Sequence, residues 1–156
     1  MAFHAQAFEV LIASPGDLAE ERDVVERAIT RWSDVHGGRS VLVRPVRWEK
    51  HAVSEVGSTP QDILNRQIVD RCDLVIGMFW TRLGTPTDRA ESGAVEEIER
   101  FTASGRPAVL LFSNRPVPPK KFDADQHKRL QSFRKRMRPK SLSFEFETQE
   151  QLAELV

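Results

Sequence analysis

In residues 73–80 (DLVIGMFW) every side chain after Asp73 is apolar, and this short strand constrains the chain more than any other feature. A strand with one wet face alternates apolar and polar residues. An uninterrupted apolar run of strand length instead fits the centre of a parallel sheet covered by helices on both faces. Residues 107–112 (PAVLLF) are a further run of this kind, and 8–13 (FEVLIA) is a short apolar run interrupted only by Glu9. Residues 40–48 (SVLVRPVRW) alternate enough for another strand, and Pro45 places it near an edge.

Between these runs the apolar spacing changes to the helical period. Leu18, Val25, Ile29 and Trp32 form one stripe, ended by His36-Gly37-Gly38. Ser14 is expected to cap this helix, with Pro15 at its first position and Asp17 three residues after the cap. Ser58-Thr59-Pro60 opens a second helix with Ile63, Leu64, Ile68 and Cys72 on its inner face. Residues 93–103 carry Ala94, Val95, Ile98 and Phe101 as a third stripe. Strands alternating with helices imply right-handed crossovers. The expected fold is α/β, an open and mostly parallel sheet flanked by helices.

The 156 residues suit a single domain, with its core in 8–114 and an extension over 120–156. In the extension, residues 122–137 are expected as a helix with Leu130, Phe133 and Met137 inward. Leu142, Phe144 and Phe146 alternate as a last strand, and Thr148 with Gln151 forms a capping box for a last helix. That helix stops at Val156 without a cap, which suggests a longer parent protein.

Charge and composition remove several classes of function. The 23 basic residues balance the 23 acidic ones, so no global field draws the chain toward nucleic acid or membrane. The basic run over 120–140 is expected to be a solvated helix face rather than a nucleic-acid site, since no aromatics interleave it. No apolar run approaches the ~20 residues of a membrane span, and residues 1–7 lack a signal-peptide pattern. Cys72, the only cysteine, allows no internal disulfide and is expected in the core. A cytosolic location follows as the expectation. Phosphate-loop, dinucleotide-loop and zinc-protease motifs are missing, and the four histidines are scattered, so no metal or cofactor is expected.

Ligands of open α/β sheets bind beyond the carboxyl ends of the strands. Those ends hold Ser14, Trp48, Phe79, Trp80 and Arg82. The aromatics are candidates for stacking on a base, Trp80 being equally suited to the core. Arg82 is suited to a phosphate or to open surface. Residues 79–101 then lead from the central strand into a helix whose early turns bear Glu96, Glu97 and Glu99. A carboxylate fixed there suits the positive charge that develops as an N-glycosidic bond breaks. In steps of 100° per residue, Glu96 and Glu99 point away from the apolar arc and Glu97 borders it. Spacing alone leaves a purely solvating role open for all three.

FEVLIASPGDLAEERDVVERAI resembles the opening of a bacterial TIR-like family, whose first strand runs into a Ser-Pro-Gly-Asp-Leu-x-Glu-Glu-Arg helix. DLVIGMFWTRLGTPTDRAESGAVEEIERF resembles that family's central strand and following helix, and with PAVLLFSN the likeness covers most of residues 8–114. It implies a flavodoxin-like or TIR-like fold. Catalytic TIR domains carry a Trp-Cys-x-x-Glu pattern on this helix, and the similar nucleoside deoxyribosyltransferases carry Gly-Thr-x-x-Glu; both patterns place their glutamate at Glu97. Gly93 stands where the TIR tryptophan would be, so an aromatic wall would have to come from Trp80 or Trp48. The resemblance implies cleavage of the nicotinamide–ribose bond of NAD⁺ as substrate, with a linear or cyclised ADP-ribose product. It also implies an effector of anti-phage defence, self-association into oligomers or filaments, and a sensor domain or partner protein. Base exchange on a nucleoside and a non-catalytic interaction module are the alternatives.

Overall fold

The computed structural model describes residues 2–47, 63 and 65–156. Five strands form one sheet: β1 (Gln6–Ala13), β2 (Val41–Val46), β3 (Leu74–Phe79), β4 (Ala108–Ser113) and β5 (Leu142–Phe146). Their order is β2-β1-β3-β4-β5, and every neighbouring pair is parallel. This is the flavodoxin-like order of doubly wound sheets. The wholly apolar β3 is central, and β2 with Pro45 lies at an edge, as the sequence pattern requires.

Alternate residues of the central strands feed two cores. Val10, Ile12, Ile76, Met78 and Leu111 face α1 (Ala19–His36). Leu11, Ala13, Val75, Phe79, Leu110 and Phe112 face α2 (Gly93–Ala103) and α3 (Ala124–Met137). On that side Phe79 lies between Phe112 and Phe133, with ring centroids 5.9 and 5.1 Å away. The short α4 (Gln149–Leu155) lies against α1 and β5. Its capping box is complete: Thr148 Oγ1 accepts from the Gln151 N–H at 3.2 Å, and the Gln151 side chain accepts from the Thr148 N–H.

Gly77 sets how closely α2 approaches the sheet. A Cβ there would lie 2.6 Å from Ile98 Cδ1 and 2.8 Å from Leu110 Cδ2. The missing side chain lets Ile98 and Phe101 of α2 seat fully against β3 and β4.

Four local expectations are corrected. Ser14 does not cap the first helix: a 3₁₀ turn, Gly16–Leu18, precedes α1, and Pro15 stands at its cap without a side-chain bond. The Ser14 hydroxyl accepts instead from Arg22 at 3.0 Å. Trp32, toward the end of α1, is 40% exposed rather than inward; its indole stacks on His36 at 4.5 Å. Cys72 is buried, but it follows the π-helical turn Asn65–Val69 instead of lying on a helix. The third helix begins at Ala124, capped by Asp123, and leaves Phe122 outside it and 53% exposed. The expected helix start at Ser58-Thr59-Pro60, and Leu64, lie outside the described residues.

Gly77→Val should overpack the α2 contact and cost about 1–3 kcal/mol. Urea unfolding is expected to show a lower midpoint at an unchanged slope.

Candidate functional site

In a doubly wound sheet the crevice forms where the strand order reverses, here between the carboxyl ends of β1 and β3. The chain after β1, residues 14–18, and the chain after β3, residues 80–92, meet there. Thr81 donates to Asp17 Oδ2 through its hydroxyl at 2.7 Å and its N–H at 3.4 Å. Arg22 binds the other side of the first loop, donating to the Ser14 and Pro15 carbonyls and to the Ser14 hydroxyl.

Arg82 lies over Gly16: its Nη2 is 3.7 Å from the position a Cβ on that glycine would take. An exposed guanidinium therefore stands beside the open start of the 3₁₀ turn. Gly84 has φ +112°, and a Cβ there would meet Ser92 Cβ at 3.2 Å and Pro15 at 3.7 Å. Glycine is required at this position both by the positive φ and by the close approach of the two loops.

A second group of bonds lies at the same edge, on the α1 side. Glu21 is 3% exposed and accepts from Arg115 Nη1 at 2.9 Å. The Arg115 guanidinium covers the Trp80 ring at 3.9 Å, and Trp80 Nε1–H donates to the Arg115 carbonyl at 2.9 Å. One face of Trp80 is thus taken by Arg115, with Lys121 Nζ 5.9 Å from the ring centroid. No local sequence pattern links Glu21 to Arg115, so sequence reading missed this pair.

The 81–92 loop ends in a cap. The Ser92 hydroxyl accepts from the Val95 N–H at 3.2 Å, which starts α2 at the crevice. Ala94, Val95, Glu97, Ile98 and Phe101 are the buried residues of α2. Glu97, 5% exposed, is a carboxylate in the second turn of a helix that rises from the carboxyl edge. Burial of this kind raises the cost of charge and strengthens its interaction with a cation.

Glu96 turns toward the loop and Glu99 toward α3. Thr87 donates to Glu96 at 3.0 Å, and Arg89 lies 3.8 Å away, so Glu96 folds beneath the loop instead of projecting into solvent. Glu99 pairs with Arg136 at 3.0 Å on the outside of α2. Further along α2, Arg100 holds Asp70 with two bonds of 2.6 and 2.7 Å, and this keeps the Asp70 carboxyl below its usual range.

Of the residues singled out from the sequence, Ser14, Trp80 and Arg82 gather at the crevice, and the helix that bears Glu97 begins there. Phe79 is fully buried between Phe112 and Phe133 and lines no surface. Trp48 lies outside the described residues. Among the described residues no cluster of three His, Cys, Asp or Glu has the arrangement of a metal site, and no helix is long and apolar enough to cross a membrane. Cys72 is no nucleophile: burial, followed by the charge of Glu9, pushes its thiol up to about 12.

Fold and crevice together define a flavodoxin-like α/β domain with a carboxylate-bearing helix at its switch point. The chain belongs to the family described as Domain of unknown function (DUF4062), whose model matches residues 9–156. A search of curated proteins returns no match. Among solved structures, the chain is similar to the Clostridium botulinum CMP N-glycosidase BcmB, at 13% identity over 94% of this chain and 97% of that one, with a TM-score of 0.45. It is also similar to oxidised Flavodoxin 1 of Bacillus cereus, at 12% identity over 96% and 92% of the two chains, with a TM-score of 0.37. Likenesses this faint carry no chemistry, and the fold assignment rests on the strand order.

Two outcomes follow. Thr81→Val should cost about 1.5–3 kcal/mol in denaturant unfolding, the range of a hydrogen bond to a charged group, and should speed proteolysis within residues 81–92. Cys72 should resist iodoacetamide at pH 8 in the folded protein and react on unfolding. Its folded value lies above the unfolded one, so its contribution to stability is complete below about pH 9 and is lost as pH rises toward 12.

Proposed function

We propose that this domain is a TIR-like glycohydrolase that cleaves the nicotinamide–ribose bond of NAD⁺, with Glu97 as its catalytic carboxylate. The observation that carries this reading is a buried carboxylate, Glu97, on the helix that rises from the β1–β3 switch point. As the bond to nicotinamide breaks, the ribose gains oxocarbenium character, and a carboxylate shielded from water stabilises that charge more than an exposed one. Water then takes the ribose carbon to give ADP-ribose, or an internal nucleophile of the substrate closes a cyclic product.

Other groups at the edge have roles that fit this substrate. Arg82 and the uncapped turn at Gly16 suit its diphosphate, Ser14 a ribose hydroxyl, and Trp80 a flat ring. Trp48 belongs to the same proposed set. The domain needs no bound cofactor in this scheme, since NAD⁺ is consumed. Its setting is the cytoplasm, as a defence effector that depletes NAD⁺ once self-association, driven by a sensor domain or partner protein, completes the crevice.

The test compares NAD⁺ turnover across three variants. Glu97→Gln should lower the rate on the order of 10²–10³-fold while the protein keeps its fold by circular dichroism. Glu96→Gln and Glu99→Gln should stay near the parent rate. Equal rates in all three would remove Glu97 from the mechanism. Equal absence of turnover, in the parent as well, would leave the interaction-module alternative.

A further inference from the structure

The two edges of the sheet differ. At one, Pro45 interrupts β2 as a hydrogen-bonding strand. At the other, β5 carries no proline, and Leu142, Ser143, Phe144 and Glu145 are all exposed in succession. Phe146 O accepts from the Asn114 N–H at 2.8 Å, so Phe146 points its main chain toward β4. Main-chain direction alternates along a strand, and so Ser143 and Glu145 point their N–H and C=O groups away from β4. Among the described residues nothing pairs with them. On the α1 side of the sheet, Leu142 and Phe144 are 64% and 42% exposed, an apolar border to this open edge.

The other border is cationic. Between Asp125 and Glu145 the chain holds seven Lys or Arg residues and no acid. Arg134 spends its charge on Glu145, which holds that carboxyl below its usual range, and Arg136 pairs with Glu91 and Glu99. Lys128, Lys135, Arg138 and Lys140 have no carboxylate partner among the described residues. Arg138 follows Arg134 by four residues and so continues the flank of the helix that overhangs β5.

We propose that the β5 edge is a docking site for an extended acidic segment of a partner protein, which adds to the sheet as a sixth strand. Main-chain donors and acceptors at Ser143 and Glu145 take the partner's backbone. Its acidic side chains face Arg138 and Lys140, and its apolar ones cover Leu142 and Phe144. Charge selects this occupant over a second copy of the chain. Two β5 strands paired across a twofold axis would bring two unpaired cationic helices together. A nucleic-acid backbone would use the cations and leave the donors, acceptors and apolar border unmatched.

The probe is a fluorescein-labelled short peptide alternating valine and glutamate, with lysine-for-glutamate and proline-interrupted versions as controls. Anisotropy should show saturable binding of the acidic peptide alone, weakening as salt rises. Double charge reversal at Arg138 and Lys140 should weaken it roughly fivefold, as two exposed charge contacts supply. Ser143→Pro removes a solvent-facing N–H at an edge position that tolerates proline, and should abolish binding with thermal stability kept. Hydrogen exchange at the Ser143 and Glu145 amides should slow on binding, a readout that surface charge alone does not move. Equal binding of the lysine peptide, unchanged exchange at those amides, or indifference to Ser143→Pro would overturn the proposal. So would tighter binding of an oligonucleotide that displaces the peptide, or dimerisation that buries β5 without it.

Discussion

The distance between α2 and the sheet governs what the carboxyl edge can do, and Gly77 sets it. With no Cβ at this position, Ile98 and Leu110 meet over the centre of β3, and α2 lies close enough to bury Val95, Ile98 and Phe101 completely. Glu97 lies on the same arc, so the packing that stabilises the helix also draws a carboxylate out of water. A larger residue at Gly77 would push α2 outward and expose that carboxylate. Core and candidate site are coupled through one missing side chain.

Much of this was legible in the sequence because the strongest signals were local and agreed with one another. The apolar run before Trp80 gave the central strand, and Ala94, Val95, Ile98 and Phe101 gave a helix with the observed span 93–103. Thr148 and Gln151 bonded as their spacing required. Helical phase singled out Glu97 among three neighbouring glutamates, and it is the one buried on α2.

What was not legible depended on partners distant in sequence or on the reach of another element. Ser14 is a good local cap, yet Arg22 takes its hydroxyl. Trp32 continues the apolar stripe of α1, yet it stays 40% exposed and stacks on His36. Glu96 has the phase of an exposed residue, but the 81–92 loop folds over it through Thr87. Phe79 ends its strand at the right edge, but alternation turns its ring into the core between two other phenylalanines. Periodicity assigns a face. It does not say whether a loop, another helix or solvent lies there.

The Glu21–Arg115 pair spans 94 residues, and this has a consequence for synthesis on the ribosome. A carboxylate 3% exposed is costly to bury before its cation exists. At roughly 5–20 residues per second, Arg115 follows Glu21 by about 5–19 seconds. Throughout that interval the position that Glu21 takes in the finished domain lacks the cation that offsets its charge. The same side chain that covers Trp80 in the finished domain therefore reaches Glu21 only after the fourth strand has been made.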